Sequence, residues 1–149
     1  MKLYKLTDQN SQTYNEMQWG ENIIHRLPIK DNPILCTEDV IHAYKDINLA
    51  YLFNPIHASY INPICFKAEG EIVIEDWSKV GCFSLTTIKQ VDKPKWVDSK
   101  NDWKVRLQFA ILCAESVQHF NKDKRVKKAI QSAKNYLKNP CLEILQKRF

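Results

Sequence analysis

Four histidines and five cysteines offer this chain most of its chemistry, and their spacing limits how much is available. His25, His42, His57 and His119 stand 17, 15 and 62 residues apart, with no HxxxH or comparable pair. A zinc site usually contains at least one close pair, because two ligands from a single turn or helix face orient the rest. The histidines therefore read as structural or surface residues, and neither a metal nor a cofactor is expected. Cys36, Cys65, Cys82, Cys113 and Cys141 are odd in number, form no CxxC pair and lie mostly inside apolar runs such as 109–114. That usage suits small buried hydrophobes in a reducing compartment. A Cys–His nucleophile pair, Cys36 with His42 or Cys65 with His57, lacks an evident helix N-terminus or other feature to stabilise a thiolate. Three glycines leave no material for a phosphate-cradling loop. No catalytic constellation stands out, which favours binding over catalysis.

The charge distribution is more informative. The chain has 149 residues and a formal net charge of +5. Residues 121–149 carry nine basic side chains against Asp123 and Glu143, a surplus of seven, so the first 120 residues sum to −2. A slightly acidic body with a basic tail points to an anionic partner. Lys124, Lys127, Lys128, Lys134 and Lys138 supply much of that surplus, and no aromatic ring is interleaved on the lysine side. Salt-sensitive contact with phosphates or an acidic protein is open to such a face, whereas base stacking is not suggested. Trp96 within, and Trp103 just beyond, a charged, Pro-containing stretch at 92–101 either clamp helices or act as anchors for a partner.

These residues need elements to position them. At 44% hydrophobic and 26% charged residues the composition is that of a soluble globule, long enough to bury roughly 70% of its unfolded surface. Residues 2–13 alternate as a strand, a turn at Asp8-Gln9-Asn10-Ser11 and a returning strand. Residues 18–33 read as loop with one short strand around Ile23-Ile24. Short apolar runs follow at 34–36 and 41–44. Asp46 then precedes Ile47, Leu49, Ala50, Leu52 and Phe53, which marks a capped helix of about two turns stopped by Asn54-Pro55. Strands are expected at 64–68, 71–74 and 82–91. From Asp102, a possible cap, the period changes: Leu107, Ala110, Ile111, Ala114 and Val117 share one helix face. A second helix sets Val126, Ala129, Ile130, Ala133, Tyr136 and Leu137 against Lys124, Lys127, Gln131, Lys134 and Lys138, and a short third one is expected over 141–149. The fold class is α+β: a mainly antiparallel sheet with one short helix over 1–92, a linker at 93–101, and a helical hairpin over 102–149, all in one domain. The polar N-terminus has no signal-peptide core and no apolar run approaches the ~20 residues that span a bilayer, so a cytoplasmic location without membrane contact is expected.

The segments LYKLTDQNSQTYNEMQWGE, LCTEDVIHAYKDINLAYLFNPIHA and GEIVIEDWSKVGCFSLTTIKQV resemble a family of small phage and prophage proteins with no established enzymatic activity, over about residues 2–92. FAILCAESV followed by KDKRVKKAIQSAKNYL is similar to a helical element of those proteins and of immunity proteins of bacterial toxin systems. The resemblance implies a protein of the infected cell's cytoplasm that binds and blocks a host or defence enzyme, as anti-CRISPR and other counter-defence proteins do. A more distant likeness, in the order of strands and helix over 3–91, is to small ADP-ribosyltransferase-like domains such as the rifampin-modifying ones. There a His or Arg on the first strand holds NAD; the matching position here is Lys5, followed by Leu6 where a small residue is usual. Glu69-Gly70-Glu71 has the form of those enzymes' paired glutamates, although a strand end, a glycine turn or bulge and a second strand account for it better. That likeness implies a nucleotide pocket near Lys5, Tyr44 and Glu71.

Overall fold

The computed structural model describes residues 1–121 and 123–140, which fall into two compact units, Met1–Pro94 and a second from Lys95 onward. The third helix expected over 141–149 lies outside the described residues.

The first unit is built on antiparallel strands. β1 (Lys2–Thr7) pairs with β6 (Ile64–Gly70), β6 with β9 (Ser84–Val91), and β9 with β4 (Ile23–Arg26), in the order β1-β6-β9-β4. A second sheet has the order β5-β8-β7, from Ile41–Ala43, Val80–Cys82 and Ile74–Glu75, and one Tyr4–Tyr44 bridge joins it to β1. β2 (Gln12–Thr13) and β3 (Met17–Gln18) form a separate ribbon. Alternation explains the core. Leu3, Phe66, Ala68 and Leu85 project from one sheet and Ile41, Ala43, Val80 and Cys82 from the other, all buried around Trp19. Ile88 is the extra residue of a bulge, because Lys67 faces Lys89 while Ala68 faces Thr87. Gly81 is required where it stands: a Cβ there would lie 2.6 Å from a Val40 methyl and 2.8 Å from one of Ile74.

Several expectations are corrected. The strand returning after Asp8 does not pair with β1, because β6 takes one edge of β1 and Tyr44 bridges Tyr4 on the other, and Gln12 and Thr13 turn instead to Met17 and Gln18. The short apolar run at 34–36, to which no element was assigned, leads into a turn, with the Asp39 carboxylate on the Ile34 amide. α1 (Ile47–His57) begins at the expected Asp46 cap, yet runs through Asn54-Pro55 for two further residues. The buried Asn54 side chain makes this possible. It donates to the Tyr60 carbonyl and accepts from the Tyr60 amide, while its own carbonyl accepts from Ala58 and Ser59, so the chain end is held without a regular final turn.

The second unit contains α2 (Asp102–Val117) and α3 (Lys124–Lys138). Asn101, not Asp102, occupies the α2 cap position; Asp102 opens the helix, accepts from the Asp98 amide and pairs with Arg106 four residues on. Of the expected α2 stripe Ile111 is buried, Leu107 and Ala114 are half-buried, and Ala110 and Val117 are exposed. α3 follows its period more closely. Ile130 is buried, Val126, Ala133, Tyr136 and Leu137 are half-buried, and Ala129 is exposed. Asp123 caps it by accepting from the Arg125 amide at 2.8 Å. Among the described residues no helix is long and apolar enough to cross a membrane.

Candidate functional site

Two groups of side chains stand out, one in each unit. In the first, Lys5 on β1 is fully enclosed: Nζ donates to the His42 carbonyl at 2.9 Å and lies 4.8 Å from the centre of the Trp19 ring. Burial lowers its pKa to about 8, because an ammonium loses hydration there that one carbonyl and one ring face only partly replace. Its neighbour His42 falls to about 4, first through burial and then through the nearby cations Lys79 and Lys5. Neutral at ordinary pH, His42 uses Nε2 to accept from the Cys36 amide at 3.0 Å. That bond removes His42 as a base for the Cys36 thiol, since the lone pair such a base needs is already engaged.

Tyr44, next along the chain, lies 2.9 Å through its hydroxyl from His57 Nδ1 at the end of α1. Burial raises the Tyr44 pKa and lowers that of His57, so both groups are neutral near pH 7. With Tyr44 as donor, Nδ1 accepts and the ring hydrogen of His57 sits on Nε2. The imidazole is nearly parallel to the Phe53 ring, 4.8 Å between centres and 13° between planes, and Trp77 meets Phe53 edge-on at 5.3 Å. A tight turn carries Trp77 and Lys79. Asp76 accepts through Oδ1 from the Ser78 amide, the Ser78 hydroxyl and the Lys79 amide, all within 2.8 Å. Continuing the Ala43–Val80 register by one residue sets Lys79 opposite Tyr44. Cys65 and Cys82, buried nearby, have thiol pKa values pushed up to about 12 and about 11, which makes them packing groups and not nucleophiles.

Of the three residues assigned to a nucleotide pocket, the structure brings Lys5 and Tyr44 onto adjoining strands. Glu71 is exposed just past β6 and lines a shallow pocket of about 230 Å³ with Arg26, Leu27, Ile29, Val73, Phe83 and Ser84; neither Lys5 nor Tyr44 lines it. Gly70, the middle of the Glu-Gly-Glu run, ends β6 where a Cβ would meet the Ser84 carbonyl at 2.7 Å. Trp77 and Lys79 were not among the sequence candidates, and His57 was weighed only as a metal ligand or as a partner for Cys65. The available signal was Asp76 two residues before Ser78, which marks a side-chain-capped turn able to project its neighbours.

The second group is the lysine side of α3. Lys124, Lys127, Lys128 and Lys138 are exposed, whereas Lys134 is partly covered and pairs with Glu115 of α2. Trp103 packs against Tyr136 at 5.5 Å and so ties α2 to α3, and the Arg106 guanidinium sits 5.3 Å from the Trp96 ring centre. Both tryptophans are half-buried.

No family model, curated protein or solved structure matches the chain.

Proposed function

We propose that this is a phage-type protein that acts by binding, blocking a host or bacterial-defence enzyme through the basic face of α3. The observation that carries this reading is the two-sided construction of α3, with Ile130 buried and Lys124, Lys127, Lys128 and Lys138 exposed. The fold places the helix through its apolar side and leaves four cations within one helical face free to meet an acidic surface. Arg125 adds less, because Asp123 takes its guanidinium at 2.6 Å. Lys134 is likewise committed, to Glu115. Trp96 and Trp103 serve mainly to fix the helices, Trp103 through Tyr136 on the apolar side of α3 and Trp96 through Arg106. The phage assignment rests on the sequence resemblance and the acidic partner on the charge.

The test compares the proteins retained from a bacterial lysate by the wild type and by a Lys124→Glu, Lys127→Glu, Lys128→Glu, Lys138→Glu variant, with equal helix content verified by circular dichroism. A partner held by the first and lost by the second is expected. Equal retention by both removes the α3 face from the proposal, and capture of nucleic acid alone replaces the protein partner with phosphates.

A further inference from the structure

Lys79 is only 8% exposed, yet among the described residues its ammonium has no hydrogen-bond acceptor and no ion-pair partner. Among the described residues no polar side-chain atom is sealed in the interior without a partner, so the ammonium still meets solvent through the little surface the residue keeps. The fold covers the stem of Lys79 while its ammonium keeps contact with water, so the charge is held in place and open to an anion. Lys5, the second cation of this corner, is satisfied by the His42 carbonyl and Trp19. Asp76, in the same turn, uses its Oδ1 to hold the Ser78 and Lys79 amides; its charge attracts that of Lys79 without a contact close enough for an ion pair. His42 and His57 are neutral, as are Tyr44 and Tyr60, and burial raises the pKa of both tyrosines. The corner therefore carries two positive charges against one negative.

What surrounds Lys79 is suited to a ligand. His57 is held by Tyr44 through Nδ1, and with the Tyr44 hydroxyl as donor its Nε2 carries the hydrogen for a donor bond. Trp77 is 73% exposed and is in steeply angled contact with Phe53, so most of its indole is open to solvent. A phosphate group would match the ammonium and the imidazole N–H, and a planar ring attached to it would match the indole. We infer that Lys79 and His57 form an anion site for the phosphate of a nucleotide-like ligand whose ring stacks on Trp77. The site is independent of the α3 face.

Titration of the full chain with adenosine monophosphate, inorganic phosphate and adenosine, followed by calorimetry and by the ring resonances of His57 and Trp77, tests it. Saturable binding of adenosine monophosphate is expected, tighter than phosphate and much tighter than adenosine, with both rings perturbed. Lys79→Gln should weaken it by about tenfold or more, the loss of one charge-assisted bond. Trp77→Ala, at an exposed position where folding is not at risk, should bring the nucleotide down to the affinity of phosphate. Should Lys79→Gln fail to fold, His57→Gln makes the same test. The inference is overturned if adenosine monophosphate does not bind, if Lys79→Gln binds it as well as wild type, or if substituting the four exposed α3 lysines abolishes the binding.

Discussion

Lys5 and His42 are the residues whose environment makes the most specific demands on pH. Lys5 is charged in the unfolded chain up to pH 10.5 but gives up its proton at about 8 in the fold, so below pH 8 the native state contains a buried charge at full cost. That cost, on the order of a few kcal/mol, fades as the pH rises through the window. Relative to Lys5→Met, which does not titrate, the wild type should gain stability from pH 8 to 10.5 and show a flat difference below pH 8 in parallel thermal melts. His42 runs the other way on the acid side. Its folded value of about 4 against 6.5 means that the unfolded chain takes up the proton first, so stability falls as pH drops from 6.5 to 4. His42→Gln, which retains an acceptor for the Cys36 amide and gains no proton, should flatten that limb. The sequence gives His42 and His57 no close ligand pair, and their spacing carried no hint that a β5 histidine and an α1 histidine would share Lys79 as a neighbour. Such proximity depends on register, here Ala43 opposite Val80, which is set by cross-sheet packing and not by local pattern.

Elements were more legible than pairings. The period of α3, the Asp46 cap of α1 and the β-branched run of β9 all follow from local residue types, and each element forms where they stand. What local pattern missed was the partner of each strand and the true end of α1. Asp8-Gln9-Asn10-Ser11 makes a good turn, but a turn fixes only that the chain reverses, and β6 offers β1 a six-residue ladder that a two-residue strand cannot match. Pro55 marks a stop only if nothing else satisfies the chain end, and Asn54 does so from a distance. Two outcomes check this level. Ile130→Ala removes the buried anchor of α3 and should cost about 2 kcal/mol or more, read as a lower midpoint for helix melting. Gly81→Ala forces a methyl against Val40 and Ile74 and should destabilise the first unit by about 1–3 kcal/mol in denaturant unfolding, with the second unit's helix content as the internal control.

At the scale of the molecule, the α+β class and the separation of a near-neutral β-rich part from a basic helical one were visible in composition and period. Charge can be counted along a chain from residue types alone, but exposure cannot: Lys134 counts as basic and stands half-covered against Glu115, while Lys124, Lys127, Lys128 and Lys138 are exposed. The four exposed lysines therefore carry the central claim. The most direct measurement is the affinity of the captured partner for wild type and for the four-lysine charge-reversal variant across a series of salt concentrations. Wild-type affinity is expected to fall steeply as salt rises, and the variant to bind far more weakly with little salt dependence left. Wild-type and variant curves that coincide would contradict the assignment of binding to α3.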